Sequence, residues 1–498
     1  MLRFPCIQII SKIRLSRPLL KGVCRMSLAE NAVDFNEIER SVQKMCNELG
    51  CEVLKTALEK WDAELAANRD RAEYRHKGKR KTVIKTVLGE VEYERAVYET
   101  RSADGVKSCV YLLDEAMGIS GSGFMSGLLS EQIVQASCES SYRSAARSVS
   151  EMTGQVISHT AAWNVVQCIG ERLDAQEHQA AKLAADNKGG GTLETKVLFE
   201  ELDGIWLYLQ GKSRKVHGKS REMKLCIAYD GWKRTGKKRY ETTNKAACAN
   251  FEISGKFAKR KEGAIAEVYN VDEIEMRLLN GDGAVWIKDG ITEDVHYQLD
   301  QFHRNRAVLQ YVYFDPDAQK IIMELLYTKQ TDLLLEVIEA YANSTENETE
   351  RENFLKLHEY FTNNKDYLVP CHRRGLALPQ PPEGKIYRRM GTMESNVFSI
   401  IGNRMKGRRA CWSIEGGNNL ARLLCLKFTN KLSETLKHLT SGILPERYAE
   451  ELPIILSAKV PKREGKGYNG FHKAAPFPAT PDFKWLRDIT AFRPLFEN

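Results

Sequence analysis

Leu198-Phe199-Glu200-Glu201-Leu202-Asp203-Gly204-Ile205-Trp206-Leu207-Tyr208-Leu209 reads as one long strand into which acids have been set. Alternation puts Asp203 on the face of Ile205, Leu207 and Leu209, so a carboxylate projects from the end of an apolar stripe. A buried ionised carboxylate is costly unless it is paired or bound to a metal. Two further acids have comparable settings. Asp282 sits between glycines in Asn280-Gly281-Asp282-Gly283, which permit a sharp turn and close backbone approach. Glu394 opens a helix in Gly391-Thr392-Met393-Glu394-Ser395-Asn396, where Glu394, Val397, Ile401 and Met405 share one face. Three converging carboxylates would repel one another, so they imply two Mg²⁺ or Mn²⁺ ions about 4 Å apart. That is the chemistry of phosphodiester cleavage and transfer, with Asp203, Asp282 and Glu394 as metal-binding catalytic residues.

Other acids compete for a place beside them. Glu201 shares the face of Asp203 and Glu200 does not, which makes Glu201 the better accessory candidate. Asp230, in Tyr229-Asp230-Gly231-Trp232, repeats the Asp-Gly-aromatic theme at the end of the second strand. His303 has two readings, a satisfied polar residue of the fold or a contact to the scissile phosphate. A zinc site built on His296 and His303 lacks further ligands, and the twelve cysteines contain no CxxC spacing. They read as free thiols of a reducing compartment.

Working outward, the periodicity predicts a helix over 30–70 and a hairpin of strands 82–88 and 91–98 joined at Gly89-Glu90. A helix-turn-helix-like pair follows, with Ala146, Val149, Met152 and Val156 spaced to bury, Gly154 in the turn and Ser158 as N-cap. The second helix runs to about 185, and Asn187-Lys188-Gly189-Gly190-Gly191 reads as a flexible linker over 187–195. Strands are expected at 196–210, 222–229 and 243–249, with basic turns at 211–221 and 232–240. A helix at 262–279 and strands at 283–287 and 296–299 complete a ribonuclease H-like α/β layer. The catalytic domain would thus comprise 196–316 and 386–430, interrupted by an all-α insertion at 317–385. It would follow a DNA-binding region at 30–186 and precede a tail at 431–498. The leader, 1–29, carries six Lys/Arg and no acid; it reads as a transit peptide or as translation upstream of Met26.

A net charge of +8 is modest but concentrated. Residues 71–85 hold seven Lys/Arg against one acid, 212–224 six against one, and 233–239 five against none. Such clusters suit a polyanionic partner. Lys77, Lys79, Arg80 and Lys81, leading into the hairpin, and Arg404, Lys406, Arg408 and Arg409, following the Glu394 helix, are the candidate DNA-binding residues. No apolar run approaches the ~18–20 residues of a membrane span.

Phe199-Glu200-Glu201-Leu202-Asp203-Gly204, Leu279-Asn280-Gly281-Asp282-Gly283-Ala284 and Gly391-Thr392-Met393-Glu394-Ser395-Asn396 together resemble motifs of the ISLre insertion-sequence transposases, relatives of the Mutator-like DDE group. Leu112-Leu113-Asp114-Glu115-Ala116, Ser140-Ser141-Tyr142-Arg143 and Trp412-Ser413 extend the resemblance over about 30–430. It implies that Asp203, Asp282 and Glu394 form the DDE triad, with a helical insertion before the last. It also implies that Asp300-Gln301-Phe302-His303 corresponds to the (Cys/Asp)-x-x-His element of Mutator-like enzymes, here with Asp first. The expected protein is a DNA transposase of a transposable element, cytoplasmic and DNA-associated. It would bind terminal inverted repeats and target DNA as a homo-oligomer, hydrolyse the ends and carry out DNA recombination by strand transfer. The alternatives are a structure-selective nuclease of the same fold and an inactive, transposase-derived DNA-binding protein.

Overall fold

The computed structural model describes residues 34–101, 107–117, 125–289, 291–292 and 294–440. The expected leader and the tail beyond 440 lie outside the described residues. Helix α1 (Phe35–Asn68), capped by Asp34, lies on a sheet of β1 (Arg75–Lys85), β2 (Glu90–Arg101) and β3 (Lys107–Val110). Leu54, Leu58 and Trp61 of α1 pack on Val91, Tyr93 and Leu113, the last from the short α2 (Leu112–Ala116). Asp62 is buried there and accepts the Ala96 backbone N–H at 3.0 and 3.2 Å. The basic run lies within β1 itself, not ahead of it.

Helices α3 (Gly127–Glu139), α4 (Tyr142–Thr153) and α5 (His159–Ala185) follow. The α4–α5 corner forms as expected, with Gly154 at φ +68° and Ser158 Oγ accepting the Ala161 N–H. Its packing differs. Ala146 and Val149 are buried as expected, but Met152 and Val156 are exposed, and Ala145 and Thr153 complete the buried face of α4 in their place.

The central sheet contains β4 (Val197–Leu209), β5 (Ser220–Tyr229), β8 (Ala246–Asn250), β9 (Met276–Gly281) and β10 (Val295–Leu299). A two-stranded hairpin, β6 (Trp232–Arg234) and β7 (Tyr240–Thr242), hangs between β5 and β8. The strand order is β10-β9-β4-β5-β8. Strand β5 runs antiparallel to β4 and β8, whereas β9 and β10 run parallel to β4. Helix α6 (Gly211–His217) replaces the first expected turn, and α7 (Ser254–Ala266) covers one face of the sheet. The fold is mixed α/β.

Three expectations are corrected here. The 262–279 segment is helical only to Ala266, and Met276–Gly281 is the parallel strand β9. Buried on both faces, that strand presents Leu278-Leu279 as a continuous apolar run, which periodicity cannot distinguish from a helix. The strand expected after Asp282 is a helical turn, α8 (Val285–Lys288), so Asp282 follows its strand. The glycine-rich 187–195 segment, exposed at Asn187–Gly190, is tied to the fold through the backbone at Gly191 and Leu193. The Gly191 N–H bonds the Ala266 carbonyl at 2.8 Å, and a Cβ on Gly191 would collide with the Tyr269 backbone. Beyond it, α5 lies against α7, where a Cβ on Gly263 would meet the Ala181 nitrogen at 2.6 Å. Arg260 binds Asp174, Glu177 and Glu252 across the same junction, and Arg422 joins Asp174 and Glu177. Residues 34–440 belong to one compact unit as far as they are described.

Helix α9 (Gln301–Tyr311) leads into α10 (Pro316–Thr328), α11 (Thr331–Ser344) and α12 (Glu348–Thr362). Val308, Val312, Ile322, Leu334, Ile338, Phe354 and Phe361 form one core with Leu299 of β10, so the helical packing expected from residue 317 already includes α9. The chain returns through α13 (Met393–Val397), a π-helical turn (Phe398–Gly402) and α14 (Asn403–Met405). Strand β11 (Cys411–Trp412) then pairs with the end of β4, before α15 (Ile414–Phe428) and α16 (Leu432–Thr440). No described helix is long and apolar enough to cross a membrane.

Glu200 faces the α7 side, where Lys261 and Arg277 approach at 2.7 and 2.5 Å. Burial alone would raise its pKa, but Arg277 and Lys261 outweigh burial and hold it well below the ordinary carboxylate range. A depressed carboxylate stabilises the fold above its unfolded pKa and loses that contribution as pH falls through the folded one. Unfolding free energy from denaturant titration should therefore fall as pH drops below the ordinary carboxylate range. Glu200→Gln should lack that part of the pH dependence and be destabilised at neutral pH, since it leaves Lys261 and Arg277 sharing Glu262 as counter-charge.

Candidate functional site

Register brings the candidate acids together. Leu202 of β4 pairs with Gly281 of β9, which pairs with Leu299 of β10. The next row, one position further on, is Asp203, within β4, and Asp282 and Asp300, each just past the end of its parallel strand; neighbouring strands lie about 4.8 Å apart. Asp300 N–H bonds the Gly281 carbonyl at 2.7 Å, fixing the row.

Glu394 reaches the row from α13. His303 Nε2 lies 3.7 Å from Asp203 Oδ2 and 3.8 Å from Glu394 Oε2. One donor atom from each of Asp203, His303 and Glu394 falls within 4.8 Å of the others. Asp203 is buried, His303 half-buried and Glu394 exposed, so the cluster opens to solvent on one side. Burial limits the rise of the His303 pKa, but its bond to Asp203 and the charges of Asp203, Asp300 and Asp282 carry it above 6.5. Asp282 stands at the edge of the cluster. Its Oδ1 accepts the Ala284 N–H at 2.9 Å, and Gly283, at φ +92°, makes the turn. Burial pushes the Asp282 carboxyl up, against the Ala284 hydrogen bond, and the charge of Asp203 adds to the rise.

The accessory candidates separate cleanly. Glu201 is fully buried and accepts Tyr229 Oη (2.6 Å), Asn280 Nδ2 (3.0 Å), the Gly391 and Thr392 N–H groups (both 3.0 Å) and Thr392 Oγ1 (2.6 Å). It therefore anchors the first turn of the Glu394 helix to β4. Asn280 gives its other amide hydrogen to Asp300 Oδ2 at 2.6 Å, while Gln298 Nε2 donates to Asn280 Oδ1 at 2.8 Å. Asp300 Oδ1 caps α9 by accepting the N–H groups of Phe302 and His303. A carboxylate in that first motif position thus orients the helix that delivers His303. Glu201, Asn280 and Asp300 form one buried relay holding both Glu394 and His303.

Asp230 is elsewhere. It is buried beyond the far end of β5, bound by Thr243 Oγ1 and Asn244 Nδ2 at 2.6 Å and by Lys385. Since β5 is antiparallel to β4, that end lies beside Phe199 and not Asp203, so Asp230 is a structural tie. Sequence reasoning missed Glu222 and Asn280. Burial raises the Glu222 pKa, Lys224 opposes that, and the charges of Asp282 and Asp203 add to it, placing Glu222 beside the site. Nothing in the basic stretch around Glu222 marks it out, whereas Asn280 could have been read from its position two residues before Asp282.

The candidate DNA-binding cations also divide. Lys77 pairs with Glu99 at 2.9 Å and Lys81 with Glu92 at 3.2 Å across the hairpin, while Lys79 and Arg80 are exposed without a counter-charge among the described residues. Arg404 is not free for a partner. Its guanidinium lies 5.3 Å from the Tyr142 ring and 5.4 Å from that of Trp412, and it donates to the Ser137 carbonyl at 2.7 Å. Lys406 and Arg409 are exposed, and the side chain of Arg408 lies outside the described residues.

Residues 28–437 match the family described as Uncharacterised protein family (UPF0236). A UPF0236 protein of Caldanaerobacter subterraneus subsp. tengcongensis, whose name joins eleven locus designations, is 24% identical over 406 residues, covering 80% of this chain and 78% of that one. Another from the same organism, whose name joins four, is 23% identical with the same coverage of both chains. The "UPF0236 protein in vanSb 3'region" of Streptococcus gallolyticus is 24% identical over 407 residues, covering 78% of this chain and 82% of that protein.

Proposed function

We propose that this chain, which belongs to the UPF0236 family, is a DNA transposase that hydrolyses element ends and joins them to target DNA. One observation carries the reading: acids from distant segments meet at the end of a sheet ordered β10-β9-β4-β5-β8, with Glu394 returning after a helical insertion. That is the order expected of a ribonuclease H-like layer, and the placement agrees with the resemblance to ISLre and Mutator-like DDE transposases. The relatives' names add support, because one protein name joining eleven locus designations in one organism is the pattern a self-mobilising DNA segment would leave.

The donor chemistry fits hard divalent cations. Carboxylate oxygens suit Mg²⁺ and Mn²⁺; Asp203 and Glu394, which meet with His303 in the cluster, would hold them together with Asp282 at its edge. Bound there, such ions would supply Lewis acidity at the scissile phosphate and ease deprotonation of the attacking water or 3′-hydroxyl. The chain's own groups do the rest. The Glu201 anchor fixes Glu394, the Asp300 cap fixes α9, and His303, cationic below its raised pKa, offers a proton and a positive charge to a phosphate oxygen. Exposed Lys79, Arg80, Lys406 and Arg409 offer phosphate contacts away from the centre. Joining two ends requires two protomers on DNA.

The test is direct. Purified protein with Mg²⁺ or Mn²⁺ should nick a duplex carrying the inverted repeats that flank its coding sequence, and join the freed 3′ ends to a second duplex. Cleavage without joining would make it a structure-selective nuclease. Binding without cleavage would leave only a DNA-binding protein.

A further inference from the structure

Beyond Trp232, which is buried at its root, the β6–β7 hairpin lies outside the core and the carboxylate cluster. Between Gly231 and Thr243 it carries Lys233, Arg234, Lys237, Lys238 and Arg239 against one acid, Glu241. Glu241 pairs with Lys245 at 3.1 Å, outside the hairpin. Arg234 stiffens the turn by donating to the Gly236 and Lys237 carbonyls at 3.0 and 2.9 Å. Lys233, Lys237, Lys238 and Arg239 stand exposed with no counter-charge among the described residues.

This charge is held rigidly and in a defined place. Trp232 and Ile386 exchange backbone hydrogen bonds of 3.0 and 2.9 Å, joining the hairpin to the segment that runs into Glu394. At its root Trp232 packs edge-on to Phe199 and Tyr229, and Tyr387 also packs on Phe199, tilted, with ring centroids 5.2 Å apart. Arg388 lies 3.7 Å over the Tyr240 ring, adding a cation, and Arg389 beside it is exposed. Phe199, Glu201 and Asp203 share one face of β4, and along that face they meet Tyr387, Thr392 and the Glu394 cluster in turn. Four residues of strand span about 13 Å, which sets the hairpin root that far from the carboxylates.

We propose that the β6–β7 hairpin, with Arg388 and Arg389, is a backbone clamp for duplex DNA entering the site. It would grip phosphates roughly four base pairs from the scissile bond, given about 3.4 Å of rise per nucleotide along a strand. The inference rests on the proposed function and adds to it the path of the substrate. The contacts are to phosphates, so they position the duplex without reading its sequence.

Lys237→Ser/Lys238→Ser/Arg239→Ser, changed together, tests it by titration of end-containing and unrelated duplexes across salt concentrations. Expected is a loss of affinity of roughly 30-fold or more at low salt, equal for both duplexes. The slope of log K against log salt should become shallower by about 2 to 3, as each lost phosphate contact removes about 0.9. Arg388→Ser alone should give about one third of that change in slope. Backbone footprints should lose protection about four base pairs from the cut and keep it elsewhere. An unchanged melting midpoint shows that the variant is folded. If the wild type binds and the triple variant matches it in affinity and slope, the clamp is wrong and the proposed function stands. If the wild type binds no duplex, the proposed function falls and the clamp with it.

Discussion

Asp203→Asn is expected to lower metal-dependent cleavage on the order of 10³-fold or more, with no loss of folded protein. The substitution keeps the shape of a side chain that is 6% exposed and removes only its charge. Asp203 Oδ1 accepts the N–H of Gly204 at 2.7 Å, which an amide oxygen can still do. Oδ2 faces the cluster, and an amide nitrogen there would be a donor turned toward the position of a cation. Thermal stability should change little, because relief of the repulsion with Asp282 is offset by loss of the charge that faces His303. Glu394→Gln should behave alike, whereas Asp272→Asn, at an exposed acid outside the site, should cleave like wild type. Mn²⁺ binding measured by water-proton relaxation should weaken in the first two only. Wild-type cleavage by a folded Asp203→Asn protein would remove this residue from the chemistry.

The strand that opens this reading was legible because alternation is a local property. Asp203, Ile205, Leu207 and Leu209 could be assigned to one face before any partner strand was known, and all four are buried. Glu394 was legible for the same reason, since Val397, Ile401 and Met405 mark its helix by spacing and are buried in the fold. What escaped depended on contacts distant in sequence. Whether Glu201 is a ligand or an anchor is decided by Thr392, nearly two hundred positions later. Asp230 had the same local signature as Asp282, and only the antiparallel course of β5 sends it to the far end of the sheet. Glycines misled in the linker because a run of them signals flexibility and close approach alike. Tyr269 and Ala266, which select the second meaning, cannot be read from the run itself. Half of the expected phosphate contacts in the first hairpin proved to be cross-strand ion pairs for the same reason.

Glu201→Gln should damage both stability and catalysis, and the two can be separated. Every group around this carboxylate is a donor: Tyr229 Oη, Asn280 Nδ2, two backbone N–H groups and Thr392 Oγ1. Burial pushes the Glu201 pKa up and the bonds from Thr392 and Tyr229 resist, so the environment is built for an acceptor. A glutamine nitrogen in this shell leaves donors facing donors, and each stranded buried group costs about 1–3 kcal/mol. A loss of roughly 2–4 kcal/mol by denaturant titration is expected. The catalytic loss comes by another route. With Gly391 and Thr392 released, the first turn of the Glu394 helix is no longer pinned to β4, and a displacement near 1 Å can cost about 10²-fold in rate. At a temperature where the variant is fully folded, cleavage should still fall by about that factor, and Mn²⁺ affinity with it. Thr392→Val removes one donor and leaves the carboxylate, so it should give a smaller loss in the same direction. The Glu201→Gln/Thr392→Val double variant should lose less than the sum of the two, because both act through one contact. If Glu201→Gln lowers stability while folded protein cleaves and binds Mn²⁺ like wild type, Glu201 only supports the sheet and positions nothing.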